Sequence, residues 1–376
     1  MNVEIEIADS LCAINAQQWD ALTDGSPILS HAFVSALEET SCVGPGTGWQ
    51  PYPVVAKSEG RVVGAMPLYL KSHSYGEYVF DWAWADVFER YGFNYYPKLL
   101  VAIPFTPVAG PRLLSRRPEI QLLLGQLLVQ QMERHSLSSA HVLFPDEASS
   151  AMLRSAGWFE RNGVQFRWEN EGFSNFDDFL SRMSHDKRKK IRQERRKISD
   201  AGITCRKLPG RDIKPQDWDF FFSCYENTYH EHHSTPYLTR EFFELLGQRL
   251  ADNILLVIAE RSGKPVAAAF NLFGSDTLYG RYWGAHEYVP GLHFELCYYQ
   301  AQEFCIEKKL RYFEGGAQGE HKLARGFLPR MTRSFHKIAR PEFEAAIRDH
   351  AEREVQGIAM YHNELEERGP FRKAGL

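Results

Sequence analysis

Cysteine is scarce. The 376 residues hold 6, at Cys12, Cys42, Cys205, Cys224, Cys297 and Cys305, with no C-x-x-C pair. So few scattered thiols in so long a chain exclude a secreted disulfide scaffold, and reduced thiols in the cytoplasm fit better. Long apolar runs are missing too. Nothing approaches the ~20 residues a helix needs to cross a bilayer, and the run "LLVIA" (Leu255–Ala259) reads as a buried strand. The opening "MNVEIEIADSLCAI" carries acids where a signal peptide carries a basic region, so none is expected. These absences predict a cytoplasmic protein without stable membrane insertion. Walker and Rossmann phosphate loops, H-E-x-x-H and G-x-S-x-G are also absent. A hydrolase stays open, because triad order varies among folds. His230, His232 and His233 in "YHEHHST" give no i, i+4 pair on one helical face, so they read as a polar loop rather than a metal site. No metal and no resident cofactor is expected.

What is present points to packed cores. Hydrophobic residues make up 44% and aromatics 13% of the chain, and this length reads as two domains of roughly 150–200 residues. A faint repeat supports a pair. "VVAKSEGRVVGAMPLYL" (Val54–Leu70) aligns without gaps on "VIAERSGKPVAAAFNLF" (Val257–Phe273), with five identities at a constant offset of 203. Each reads as strand, charged turn with Gly60 or Gly263, and strand, a β-hairpin pattern. An aromatic-rich strand is expected after each, "GEYVFDWAWA" in the first half and "TLYGRYWGAH" in the second. The second half continues with a helix on which Phe294, Cys297, Tyr298, Ala301, Phe304 and Cys305 face a core, then strands "RYFEGGA" and "TRSFHKIA", then a charged helix from Pro341 to Arg368. A helix between neighbouring strands implies a crossover and a mixed sheet.

Charge is unevenly spread. Between Arg182 and Lys197 stand nine Lys or Arg against two acids, a net of +7 in a chain whose total is −4. Met183, Ile191 and Ile198 form one thin apolar stripe, so a helix capped by Ser184 and stopped at Ala201-Gly202 packs along one edge only. Before it, a short helix opens at Ser174 or Asn175. The cations make either a solvated connector or a dock for phosphate groups; without interleaved aromatics, base stacking is not indicated. Two further stretches carry chemistry. "FEGGAQGEHKLARGF" gathers Glu314, Gln318, Glu320, His321, Lys322 and Arg325 among glycines that let a ligand approach closely. Glu295 lies in the first turn of the helix at Leu292, with Tyr298 and Tyr299 three and four residues on.

"GEYVFDWAWADVFERYGFNYYPKL", "PFTPVAGPRLL", "RKKIRQERRK" and "HFELCYYQAQEF" with "YFEGGAQGEHKLARGFLP" together resemble the FemAB-like proteins of peptidoglycan biosynthesis or recognition, grouped with the GNAT acyltransferases. The resemblance runs from about Ser26 to Pro341. It implies an α/β fold with mixed α+β sheets, two GNAT-like domains in tandem joined by a basic helical segment. The boundaries are 1–172, 173–202 for the basic connector, 203–345, and 346–376 for a C-terminal helix and tail. Fem transferases move an amino acid from aminoacyl-tRNA to a peptidoglycan precursor amine and carry a helical arm; the basic helix here is shorter. Acetyl-CoA-binding GNAT enzymes carry a glycine motif before a helix, where this chain has "HEYVPGLHFEL" with Gly291 alone.

The expected function is acyl or aminoacyl transfer to an amine, with acyl-CoA or aminoacyl-tRNA as donor substrate. Such chemistry needs alignment, a proton acceptor and oxyanion stabilisation. Glu295, Glu314 or His321 would accept the proton, and Tyr282 or Tyr299 would donate to the oxyanion. Lys322 and Arg325 would meet phosphate or developing negative charge, with Gln318 and Glu320 beside them on the substrate loop. Arg188, Lys189, Arg192 and Arg195 would hold phosphates of a small molecule, a cell-wall precursor or tRNA. The alternative is a non-catalytic protein of the same fold that recognises an anionic precursor or RNA. A third is a binder of anionic lipid through the basic helix. The sequence leaves donor, acceptor and oligomeric state undefined.

Overall fold

The computed structural model describes residues 3–317 and 319–372. The chain forms two compact units. One runs up to Val164 and takes in Met331–Tyr361; the other comprises Gln165–Arg330 and the tail from His362.

In chain order the first half gives β1 (Glu4–Ile7), α1 (Ala16–Asp20), α2 (His31–Glu39), β2 (Trp49–Pro51), β3 (Val54–Ser58), β4 (Arg61–Met66) and β5 (Leu68–Lys71). Then come α3 (Trp82–Arg90), β6 (Lys98–Val101), α4 (Pro118–Arg134), β7 (Ser139–Leu143), α5 (Glu147–Ser155) and β8 (Phe159–Glu169). Local chemistry sets the helix starts. Asn15, Ser30 and Asp146 accept backbone N–H bonds as N-caps, and Pro118 opens α4, where no N–H donor is needed. Ile120, Leu124, Leu128 and Met132 fall on one face of α4 and pack with Leu99, Val101 and Val142 in the core.

The second half gives α6 (Phe176–Arg182), α7 (His185–Asp200), β9 (Ile203–Pro209), α8 (Pro215–Glu231), α9 (Arg240–Arg249), β10 (Ile254–Arg261), β11 (Lys264–Phe273) and β12 (Thr277–Ala285). A helix follows, α10 (Leu292–Phe294), which passes through a π turn at Glu295–Tyr299 and continues as α11 (Gln300–Lys308). β13 (Tyr312–Glu314), a 3-10 turn at Glu320–Arg325, β14 (Leu328–Ile338) and α12 (Pro341–Glu367) complete it. The 173–202 segment read as a connector packs within the second unit, with Met183, Ile191 and Ile198 buried as the stripe requires.

The two units share one strand pattern. In the first, β1–β3 and β3–β4 are antiparallel, β5–β6 is antiparallel, β6–β7 parallel and β7–β14 antiparallel. In the second, β9–β10, β10–β11 and β11–β12 are antiparallel, β12–β13 parallel and β13–β8 antiparallel. Each unit therefore takes its last strand from the far half of the sequence. The hairpin repeat holds in detail. Both turns have two positive φ values, Glu59 at 52° with Gly60 at 75°, and Ser262 at 53° with Gly263 at 73°. That is the primed turn a two-residue hairpin favours. The register shifts between Ala56 and Lys57 in one and between Ala259 and Glu260 in the other, positions 203 residues apart.

One element departs from expectation. "GEYVFDWAWA" does not form a strand: the chain is irregular to Asp81 and then enters α3. Trp84 and Phe88 are buried four residues apart, whereas Phe80 and Trp82 are 49% and 48% exposed. The W-A-W alternation imitates a strand, but the burial follows a helix.

Candidate active site

The parallel pair of the second unit is short. β12 and β13 pair only from Thr277↔Tyr312 to Tyr279↔Glu314, after which β13 ends and β12 runs on to Ala285. β12 also bulges. Phe270 faces Tyr282 and Asn271 faces Gly280, so Arg281 is an extra residue between them. The strands part at this bulge, and a cavity of about 110 Å³ opens there. Asn271, Tyr282 and Trp283 line it from the sheet, His293, Cys297 and Tyr298 from the helix, and Gly315 and Gly316 from beyond β13. Gly284 lets α8 pack close behind, since a Cβ there would stand 1.9 Å from the carbonyl oxygen of Cys224.

The helix wall owes its shape to the π turn. One added residue in the turn rotates the helical face, so Glu295, Leu296, Tyr298 and Tyr299 are all buried. A 3.6-residue period misses this: Phe294 and Cys297, assigned to the core, are only half-buried. Burial, with the charges of His321, Lys322 and Arg325, pushes the His293 imidazole down to about 4. Burial also raises the Tyr298 hydroxyl and the Cys297 thiol.

The glycine-rich loop closes one side. Lys322 is 2% exposed and donates from Nζ to the carbonyl of Gly316 at 2.7 Å. Burial pushes its ammonium down to about 8, with Cys297 and Glu314 pulling the other way. Glu314 at the end of β13 is raised to about 7 by burial, against the pull of Arg167, Arg330 and Lys322. His321 is exposed, and its Nε2 lies 2.9 Å from the Tyr298 hydroxyl.

Several expected ligand contacts are instead spent inside the protein. Arg325 is 2% exposed; it donates to the carbonyl of His321 at 2.7 Å and to Glu194 at 2.8 Å, and stacks 3.4 Å from the Phe294 ring centre. Tyr299 donates its hydroxyl to the other oxygen of Glu194. Arg195 grips Glu295 through Nε at 3.2 Å and Nη2 at 3.0 Å and reaches Glu303 at 2.6 Å. Glu295 also accepts from Gln300 at 2.8 Å. As proton acceptor and oxyanion donor, Glu295 and Tyr299 are thus engaged elsewhere and do not line the cavity. Arg192 pairs with Asp177 at 2.9 Å, and Glu320 with Arg368 at 2.9 Å. Lys189 is exposed and Arg188 half-buried, neither on the cavity wall. Gln318 lies outside the described residues.

Of the expected set, then, Tyr282, Lys322, Glu314 and His321 gather at or beside the cavity. Glu194 is the connection the sequence reading missed; there it counts only as one of two acids among nine cations. Trp283, His293 and Asn271 were missed because no motif marks them. Among the described residues no group of three or more His, Cys, Asp or Glu is positioned to hold a metal ion, and no helix is long and apolar enough to cross a membrane.

The fold has solved relatives. The crystal structure of FemX superposes with a TM-score of 0.54 at 12% identity, covering 93% of this chain and 100% of that one. L-PGS from Bacillus licheniformis gives 0.55 at 9% identity, over 94% and 98%. A conserved protein of unknown function from Bacteroides thetaiotaomicron gives 0.52 at 12%, over 89% and 99%. No curated protein sequence matches. The family described by peptidoglycan biosynthesis/recognition matches residues 10–373. With a match over nearly its whole length, the chain belongs to the FemAB-like family.

Proposed function

We propose that the protein transfers an acyl or aminoacyl group to an amine, in the cavity where β12 and β13 part. Family membership carries the coarse part of this reading, a transferase tied to peptidoglycan. The observation that carries the rest is the opened parallel pair with its polar lining. Where the strands diverge, the backbone of Gly280–Trp283 no longer pairs with the segment after Glu314. An extended donor can add there as a strand, which aligns its carbonyl without covalent help.

The reaction is then aminolysis. The amine nitrogen bonds to the carbonyl carbon, the C–O bond of an aminoacyl ester or the C–S bond of a thioester breaks, and the leaving group departs with one proton. Lys322 near pH 7 stays largely protonated and supplies positive charge for the oxyanion; Tyr282 lines the cavity from the sheet, its hydroxyl accepting from Arg281 at 3.1 Å, and is the second donor in this reading. Glu314, with its carboxyl near 7, is matched to accept a proton at neutral pH, and His321 is the nearest second acceptor. Phosphates of the donor or acceptor fall to the outward cations of α7. Lys189 and Lys190 are exposed and have no ion pair among the described residues. Arg325 and Arg195 are left out of this role because Glu194 and Glu295 hold them.

The test incubates the full chain with acyl-CoA or aminoacyl-tRNA and a set of amines, and reads the products by mass. An acceptor heavier by the acyl group, with one leaving group released per product, is the expected result. Tight, salt-sensitive binding with no product would instead make the protein a recogniser.

A further inference from the structure

A second cavity adjoins the first within the same unit. It holds about 380 Å³, inside the ~300–1,000 Å³ range of ordinary small-molecule pockets. Trp283 and His293 line both spaces, their rings packed edge to face with centroids 4.8 Å apart, so one aromatic wall stands between them. The lining of the second cavity carries Glu231 and Glu287 but no Lys or Arg. Glu287 pairs with Arg261. Glu231 takes an amide hydrogen bond from Asn227 at 3.1 Å and meets no cation among the described residues. It is the last residue of α8, so the negative end of that helix's dipole faces the same space. Three histidines also line the space: His232 stands next to Glu231, His286 is bonded to Ser223 at 2.8 Å, and burial pushes His293 down to about 4. Aromatic faces beside a carboxylate and a helix C-terminus attract an organic cation.

We propose that this second cavity receives the acceptor as a primary alkylammonium, its charge held by Glu231 and the C-terminal end of α8, with the Trp283–His293 wall setting it against the acyl group in the first cavity. This rests on the transfer reading. The ammonium gives up one proton, taken by Glu314 and passed on to solvent, to become the nucleophile, and a second to the leaving group as the amide forms. His293, uncharged and on the shared wall, leaves the cation-binding charge balance undisturbed.

The test needs no donor. The full chain is titrated with n-butylammonium chloride and separately with n-butanol at constant ionic strength, read by saturation-transfer NMR. The ammonium is expected to bind about fivefold more tightly, the size of one exposed charge contact. Glu231→Gln should bring the two within about twofold, and Glu231→Asp should restore part of the preference. Equal binding of alcohol and ammonium, or a preference that survives Glu231→Gln, overturns the proposal. So does acyl transfer whose acceptor KM is unmoved by Glu231→Gln, which leaves the transfer reading standing. Absence of transfer from acyl-CoA and aminoacyl-tRNA to any amine overturns that reading whatever the ammonium does.

Discussion

The two units carry the same strand pattern and treat the same place differently. In the second, the chain beyond the parallel pair stays apart and a cavity forms. In the first, the parallel pair β6–β7 ends at Val101↔Val142, and the chain then loops back into the gap. Gly110 bridges Pro145 in parallel, donating to the carbonyl of Phe144 at 3.0 Å and accepting from the N–H of Asp146 at 2.8 Å. Arg112, 1% exposed, donates to the carbonyls of Leu143, Val108 and Pro111 at 2.9, 2.6 and 3.1 Å. Burial holds its guanidinium down to about 10. The gap beyond the diverging strands is thus filled by the protein's own chain in one unit and stands open as a cavity in the other. A shared fold does not give a shared activity; what fills the gap decides.

The contrast can be broken first at the open gap. Lys322→Met keeps volume and removes the buried charge, so turnover should fall about 10²–10³-fold. A steady-state assay with an unchanged far-UV circular dichroism spectrum checks it. Next comes the strut that holds the loop. Glu194→Ala strands the guanidinium of Arg325 and should cost about 3 kcal/mol, at the lower end for a broken buried pair because Glu194 is 17% exposed. Urea unfolding measures this, and Glu194→Gln should recover part through its remaining hydrogen bonds. At the filled gap, Arg112→Ala leaves buried carbonyls unpaired and should cost about 2 kcal/mol without lowering turnover at the working temperature.

A smaller effect separates the units in acid. The first unit buries Lys98 against Asp81 and Glu77, with His141 and His336 joined through Nδ1 atoms 2.7 Å apart. Burial drives His141 down to about 3 and His336 well below its usual value. Lys98 outweighs burial at Asp81 and holds it below the usual carboxylate range, whereas burial raises Glu77 to about 7. Between about pH 6.5 and 3 the unfolded histidines bind protons the folded ones refuse, so stability falls as pH falls. Glu77 opposes this only from about pH 7 to 4.5, since its folded form binds the proton there. Below about pH 4.5 the histidines and Asp81 act in one direction, and the loss should steepen. Hydrogen exchange at β7 across that range reads it, and His336→Asn should flatten the curve. The smallest effect is at the surface: Lys189→Glu with Lys190→Glu should alter stability by under about 0.5 kcal/mol. Its mark would be weaker, less salt-dependent binding of inorganic polyphosphate.

Much of the frame was legible because it is local. The turn at Gly60 and its counterpart at Gly263, the N-cap of α6 at Asn175 and the stop at Gly202 all follow from residues within a few positions of one another. The stripe of Met183, Ile191 and Ile198 is likewise a spacing. What stayed hidden depends on distant pairing or on a broken period. The π turn shifts burial by one residue with no signal in composition. Glu194 meets Arg325 across 131 positions, and Arg195 meets Glu295 across 100. The exchange of last strands was invisible for the same reason, since β8 and β14 look like ordinary neighbours of the segments beside them. The loop from Phe313 to Phe327 was found by its density of polar residues and glycines. Composition did not tell which of its charges face inward.

The exchanged strands also set a timetable. On the ribosome the first unit is made up to β8 long before residues 331–338 exist, so the border of β7 that β14 will cover stays bare while Gln165–Arg330 of the second unit are synthesised. An unpaired strand border is a template for mispairing. A nascent chain halted before residue 331 should therefore be prone to aggregation, and its opening half should reach its final state only after its closing residues emerge.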